Sequence, residues 1–141
     1  MRRSVKALAA AGALAGGLML VQPTSATAAV DPAGVCGSGY RVIDSQALKS
    51  GSLTLATVYL TYNSGNGYNC VVTTLAHPNG ARYYLKATLQ ASGGSQKVDS
   101  GEFTSYAGPL YVSATDKCVK WGGQFDTDPG FKYTSPFEHC G

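Results

Sequence analysis

The chain has 141 residues, with 11 basic and 8 acidic side chains and a formal net charge of +3. Arg2, Arg3 and Lys6 lie at its extreme N-terminus, so the part from Ala29 onward carries 8 side chains of each sign and no net charge. A nucleic-acid-binding surface needs a surplus of positive charge. The composition therefore predicts that nucleic acid is not a partner.

The first 28 residues have the layout of a secretory signal peptide. A short cationic stretch is followed by an apolar run from Ala7 to Val21, and Ala26-Thr27-Ala28 matches the small-residue pattern at cleavage sites. The apolar run is too short for a comfortable transmembrane helix. We therefore predict that residues 1–28 are removed on export. Residues 29–141 would then form a single secreted domain that is not inserted in a membrane.

Four cysteines, all beyond the signal segment, indicate two disulfides in an exported domain. Three pairings are compatible with four cysteines. We favour Cys36–Cys70 with Cys118–Cys140, because each bridge then ties one half of the chain. Closing loops of about 35 and 23 residues stabilises the fold by about 3.8 and 3.4 kcal/mol.

Short runs of alternating apolar and polar residues, separated by glycine, asparagine, serine and proline, are typical of antiparallel strands. Leu53 and Leu55 are at odd positions, whereas Val58 and Leu60 are at even positions. In one regular strand the two pairs would face opposite sides, which predicts a bulge or break near Ala56. Periodicity is lost from residue 122 onward, where we expect an irregular tail. In chain order the predicted strands are Tyr40–Asp44, Thr57–Tyr62, Asn69–Leu75, Ala81–Gln90, Gln96–Asp99, Glu102–Tyr106, Leu110–Ala114 and Cys118–Trp121.

Seven or eight short strands in one domain predict an all-β fold. We expect a small antiparallel sandwich or a partly closed barrel, stapled by the two disulfides. No helix is required by the pattern.

The end of the chain places a carboxylate, an imidazole and a thiol side by side at Glu138, His139 and Cys140. In an extended backbone neighbouring side chains point to opposite faces, so His139 would point away from the other two. A disulfide would also remove the thiolate of Cys140. We interpret the trio as a structural anchor and expect His139 to have no partner.

No metal or cofactor is predicted. His77 is the only other histidine, and two isolated histidines with oxidised cysteines do not supply the three or four ligands of a zinc site. Asp126, Asp128 and Gly130 resemble the start of a calcium loop, but Phe137 stands where its glutamate is expected. We expect a polar turn at these aspartates.

Nine tyrosines and one tryptophan are the most distinctive feature of the composition. Core packing is the favoured interpretation, because tyrosine suits half-buried strands. Tyr83 and Tyr84 point to opposite faces of one predicted strand, so one of them is expected outside the core. The alternative is an exposed aromatic binding patch. Its candidate residues are Tyr59, Tyr83, Tyr84, Tyr111 and Trp121.

Five motifs extend through almost the whole of the predicted domain: VCGSGYRVID (residues 35–44), TVYLTYNSGNGYNCVVT (57–73), YAGPLYVSA (106–114), CVKWGG (118–123) and SPFEHCG (135–141). Together they resemble the spore-associated protein A family. The resemblance implies a small exported protein of sporulating filamentous bacteria, located on the spore or hyphal surface. It supplies no catalytic residues.

We therefore expect a non-enzymatic extracellular protein that associates with the spore or cell envelope. Its expected partner is a cell-wall polysaccharide or an envelope protein. Two alternatives stay open: a polysaccharide- or cell-wall-binding module that uses exposed tyrosines, and a secreted protease inhibitor with Ala91–Val98 as its bait loop. A small hydrolase is the least favoured, because no G-x-S-x-G elbow or phosphate-binding loop is present.

Overall fold

The structure, a computed structural model, describes residues 16–17 and 29–141, so the predicted signal peptide lies almost entirely outside the described residues. One short helix is followed by eight strands. No helix in the described ranges is both long and apolar enough to cross a bilayer. In chain order the elements are α1 (Pro32–Cys36), β1 (Tyr40–Ser50), β2 (Leu53–Asn63), β3 (Tyr68–Leu75), β4 (Tyr83–Ala91), β5 (Lys97–Phe103), β6 (Tyr106–Ser113), β7 (Val119–Phe125) and β8 (Phe131–Thr134).

The strands form two four-stranded antiparallel sheets packed face to face. Sheet 1 has the order β1-β2-β3-β6, and sheet 2 has the order β5-β4-β7-β8. Edge strand β5 contacts edge strand β6, and edge strand β1 contacts edge strand β8. The predicted all-β fold, a disulfide-stapled antiparallel sandwich, is confirmed.

Alternation along the strands decides which side chains enter the core. Leu85, Ala87 and Leu89 of β4 are fully buried, whereas Lys86 and Gln90 are partly exposed on the other face. Burying a leucine-sized side chain stabilises the fold by about 1.5–3 kcal/mol. The same period of two in the other central strands completes the core, whose buried members include Val58, Leu60, Val71, Val119 and Trp121.

The expected bulge near Ala56 is present between β1 and β2. Leu48 pairs with Ala56, but the next residue, Lys49, pairs with Thr54. Leu55 is therefore an extra residue in β2, which reconciles the two parities seen in the sequence.

A second irregularity in the same ladder positions a carboxylate. Val42 pairs with Thr61 and Asp44 pairs with Leu60, so Ile43 is an extra residue in β1. Opposite residues of an antiparallel pair share a face. Asp44 therefore lies on the face of the buried Leu60, at the edge of the sandwich.

Several strand boundaries differ from the sequence prediction, and three of the differences have a clear physical reason. β1 continues beyond Asp44 to Ser50, because pairing with β2 extends an edge strand whose own side chains are mostly exposed. The strands predicted at Gln96–Asp99 and Glu102–Tyr106 form the single strand β5 with its end at Phe103. The tail expected to be irregular contains the end of β7 and all of β8, whose four residues are too few to show a period.

Both disulfides have the favoured pairing. Cys36–Cys70 fastens α1 to the outer face of sheet 1, and Cys118–Cys140 ties the C-terminal segment to the start of β7. The five-residue helix was not predicted, and it begins with Pro32, whose fixed φ suits a first helical position. Each bridge therefore attaches a segment outside the eight strands to the sandwich.

Gly122 and Gly123 lie in the middle of β7, close to atoms of the neighbouring strands. A Cβ on Gly123 would lie 2.7 Å from Val58 Cγ2 and 2.8 Å from Lys86 O. It would also meet the hydroxyl of Thr73, a buried group without a hydrogen-bond partner among the described residues. Glycine is thus needed here so that the two sheets can pack.

Candidate functional site

The C-terminal segment closes one side of the sandwich beside β7. Val119 and Glu138 exchange two backbone hydrogen bonds, of 2.8 and 2.9 Å. The Cys118–Cys140 disulfide fixes the chain two residues further on. Glu138 and His139 are therefore held between a backbone bridge and a covalent link.

The buried tryptophan contacts this segment directly. Trp121, only 1% exposed, donates a hydrogen bond of 2.8 Å from Nε1 to Glu138 Oε1. The ring of Tyr133 packs edge-on against the indole, with centroids 5.2 Å apart. Burial raises the pKa of Tyr133, and the nearby carboxylates of Glu138 and Asp44 raise it further. Two negative groups therefore converge on this edge of the sandwich.

His139 lies between those two carboxylates. Its Nε2 is 2.8 Å from Asp44 Oδ2 and 3.9 Å from Glu138 Oε1. The expectation that His139 has no partner and points away from Glu138 is wrong. It assumed an extended backbone, whereas His139 has a φ of +53° in the left-handed region.

Asp44 gave no sequence signal as a site residue. It is 95 positions from His139, and only the closure of the sandwich brings the two together. The sequence-based expectation of no metal site counted histidines and thiols and did not include these carboxylates. Among the described residues, one set of three such groups lies close enough to share an ion: Asp44, Glu138 and His139.

An open cavity of about 430 Å³ lies at the adjoining end of the sandwich. His139 forms part of its wall, together with Arg41 and Asp116. The side chains of Asp44, Glu138 and His139 have relative solvent exposures of 39%, 33% and 32%. The cluster is therefore accessible to water and small solutes although its backbone is fixed.

The five aromatic residues predicted as a binding patch are divided between the core and the outer faces of the two sheets. Trp121 is buried in the core, and Tyr83 packs against the core and the Phe125 ring. Tyr84 is on the outer face of sheet 2, because adjacent residues of β4 alternate. Tyr59 and Tyr111 are on the outer face of sheet 1. These residues do not form a single patch.

The outer face of sheet 1 is nevertheless rich in tyrosine. Tyr59 pairs with Val72 and Tyr111 pairs with Cys70, on the side away from the main core. The register adds three more residues to this face, so that it carries five of the nine tyrosines. Sequence reasoning missed those three because a residue's face depends on strand register. The tyrosine face consists of Tyr40, Tyr59, Tyr68, Tyr106 and Tyr111.

The tyrosine face has a fixed part and an exposed part. Tyr111 Oη donates a hydrogen bond of 2.7 Å to Cys36 O, and the Tyr40 ring packs edge-on against it, with centroids 5.7 Å apart. Burial raises the pKa of Tyr111, and Tyr40 adds to the effect. Tyr68 and Tyr106 are 39% and 36% exposed. These two rings are the ones most available to a partner.

The remaining sequence candidates lie elsewhere. His77 is exposed after β3. Asp126 has a φ of +65°, and its Oδ1 accepts a hydrogen bond of 2.8 Å from Thr127 N, as expected for a polar turn. The proposed bait loop is a tight turn between β4 and β5, closed by a hydrogen bond of 2.9 Å from Gly94 N to Ala91 O.

Comparisons with known proteins bear on the whole chain. No family model matches it, and no solved structure matches it. The curated protein "Spore-associated protein A" of Streptomyces coelicolor is 40% identical over 139 residues, covering 95% of this chain and 85% of that protein. The chain therefore belongs to the spore-associated protein A family.

Proposed function

We propose that this protein is a non-enzymatic, exported protein that associates with the spore or cell envelope. The observation that carries the proposal is the 40% identity to a protein named for its association with spores. Because the match covers 95% of this chain, it extends through nearly all of the folded domain.

Export is supported by the cysteines and by the N-terminal segment. All four cysteines are paired, and disulfides persist in oxidising compartments outside the cytosol. The signal-peptide layout of residues 1–28 points in the same direction.

A non-enzymatic role is supported by the state of the C-terminal trio. A cysteine, serine or threonine nucleophile needs its free thiol or hydroxyl within hydrogen-bond reach of a base. Cys140 is bonded to Cys118, and the hydrogen bond from the His139 ring goes to the Asp44 carboxylate. The imidazole at this site therefore contacts a carboxylate, and the thiol next to it in sequence is oxidised.

The test is location in the organism that encodes the protein. An epitope-tagged full-length chain should be found on spores or hyphae by immunoelectron microscopy, with an N-terminus at Ala29. A variant lacking residues 2–28 should stay inside the cell. Finding the full-length protein only in the medium or only in the cytoplasm would contradict the proposal.

A second candidate function is binding of a cell-wall polysaccharide through the tyrosine face. Five tyrosines on one outer face is the observation that favours it. Tyrosine offers an apolar ring for sugar C–H groups and a hydroxyl for hydrogen bonding.

Sedimentation with insoluble cell-wall glycan tests this second function. The wild-type protein should co-sediment, and Tyr68→Ala with Tyr106→Ala should reduce the bound fraction. Tyr84→Ala, on the outer face of sheet 2, is the matched control. Equal binding by the control and by the double variant would contradict the polysaccharide hypothesis and leave the envelope proposal unaffected.

A further inference from the structure

Asp44, Glu138 and His139 form a compact group, which we call the edge triad. Their ligand atoms all lie within 4.8 Å of one another. We propose that the edge triad binds a divalent cation of the first transition row, with Zn²⁺ as the best match to its donor atoms.

The charge of the edge triad favours a divalent ion. In the described part of the chain, the ion pairs within 4.0 Å are those of His139 with Asp44 and with Glu138. One imidazolium can balance one carboxylate, so the second negative charge is left without a partner. A divalent cation in place of the proton balances both. Arg41 and Asp116 line the adjoining cavity with opposite charges and do not alter this balance.

The donor atoms and their spacing favour zinc over calcium or magnesium. The triad offers one imidazole nitrogen and two carboxylate oxygens, whereas Ca²⁺ and Mg²⁺ prefer oxygen alone. Tetrahedral ligands at about 2.0–2.1 Å from Zn²⁺ lie about 3.4 Å from each other. The distances from His139 Nε2 to Asp44 Oδ2 and Glu138 Oε1, 2.8 and 3.9 Å, lie on either side of that value. Small side-chain rotations would bring both to it.

The ligands are held in place by hydrogen bonds of their own. Ser45 N donates to Asp44 Oδ1 at 2.8 Å, leaving Oδ2 directed at the imidazole. The buried Trp121 indole donates to Glu138 Oε1 at 2.8 Å. Such outer partners orient metal ligands in known sites.

The surroundings leave room for further ligands. The cavity beside His139, of about 430 Å³, is open to solvent. Three protein ligands and a water would complete a four-coordinate site.

Titration of the purified, disulfide-bonded protein with Co²⁺ tests the proposal. Trp121 is the single tryptophan of the chain and contacts a ligand, so its fluorescence reports directly on the site. We expect saturable quenching and visible Co²⁺ absorption bands at one ion per chain, both reversed by Zn²⁺. Asp44→Asn, Glu138→Gln and His139→Gln should each weaken binding at least about tenfold, as loss of even an outer partner does.

The chain offers matched controls of each ligand type. His77→Gln and Glu102→Gln change exposed residues outside the triad and should bind Co²⁺ as the wild type does. Circular dichroism of each metal-free variant identifies those that fold. The proposal is overturned by a lack of saturable binding, by wild-type affinity in any folded triad variant, or by loss of binding in His77→Gln.

Discussion

The Trp121 Nε1 hydrogen bond of 2.8 Å to Glu138 Oε1 joins the largest buried side chain of the core to the C-terminal segment. We expect Glu138→Ala to leave the indole N–H without an acceptor and to lower the free energy of unfolding by about 1–3 kcal/mol. Glu138→Gln keeps an oxygen acceptor and should cost less than about 1 kcal/mol. Urea unfolding followed by Trp121 fluorescence measures both, and equal losses would contradict the assignment.

Because the hydroxyl of Thr73 is buried and has no hydrogen-bond partner among the described residues, its replacement should stabilise the fold. Thr73→Val replaces a buried, unpaired hydroxyl with a methyl group of similar shape and should raise the free energy of unfolding by about 1 kcal/mol. Thr61→Val is the matched control, because Thr61 Oγ1 donates a hydrogen bond of 3.0 Å to Cys70 O. That variant should lose about 1 kcal/mol. If urea unfolding shows that both variants gain or both lose free energy of unfolding, the hydrogen bonding of the two hydroxyls does not explain their stability.

The close approach at Gly123 predicts a low tolerance for any side chain there. Gly123→Ala would place a Cβ 2.8 Å from Lys86 O, a backbone atom that cannot rotate away. Such overpacking should lower the free energy of unfolding by about 1–3 kcal/mol. Gly101→Ala, also in a strand, would meet the Phe103 ring at an ordinary 3.4 Å and should be tolerated. Calorimetry that finds both variants equally stable would refute this.

Removal of either disulfide should lower stability, but the two removals should differ in their effect on Trp121 fluorescence. Replacing Cys36 and Cys70 by alanine should cost about 3.8 kcal/mol, and replacing Cys118 and Cys140 about 3.4 kcal/mol. In the folded state only the second change frees the segment that carries Glu138, so only it should alter Trp121 emission. A shifted emission in the first variant and an unchanged one in the second would be inconsistent with the structure.

Two tyrosines should resist ionisation at alkaline pH. Burial raises the pKa of Tyr111 and of Tyr133 above the ordinary value of 10.0. The folded protein then retains protons that the unfolded chain releases, so the free energy of unfolding should fall as the pH rises above 10.0. Spectrophotometric titration should show that Tyr111→Phe and Tyr133→Phe each remove a late-titrating group. If either substitution removes a group that titrates at or below pH 10.0, burial does not raise the pKa of that tyrosine.

The fold class and the disulfide pairing could be predicted because they rest on local signals. The alternation of apolar and polar residues in Ala81–Gln90 indicates a strand, whatever its neighbours are. The odd position of Leu55 and the even position of Val58 indicate a bulge within a single strand. Compartment and spacing limited the cysteines to a few pairings. None of these inferences needs knowledge of which strands are neighbours.

The edge triad and the tyrosine face could not be predicted because both depend on register and on long-range closure. Asp44 faces inward through the extra residue Ile43, a one-residue shift that alternation in β1 does not show. His139 departs from the extended backbone on which the facing argument was built. Tyr68 and Tyr106 share a face because β6 pairs with β3. The sequence does not show which later strand is the neighbour of β3.

The placement of the four edge strands limits how copies of this protein can assemble. Exposed strand edges invite strand addition and fibre growth. Here β5 contacts β6 and β1 contacts β8, so each edge strand lies near an edge strand of the opposite sheet. A strand added by a neighbouring molecule would have to fit beside the edge strand of the opposite sheet. The crowding at these edges favours association through the side chains of the broad outer faces over strand addition at the edges.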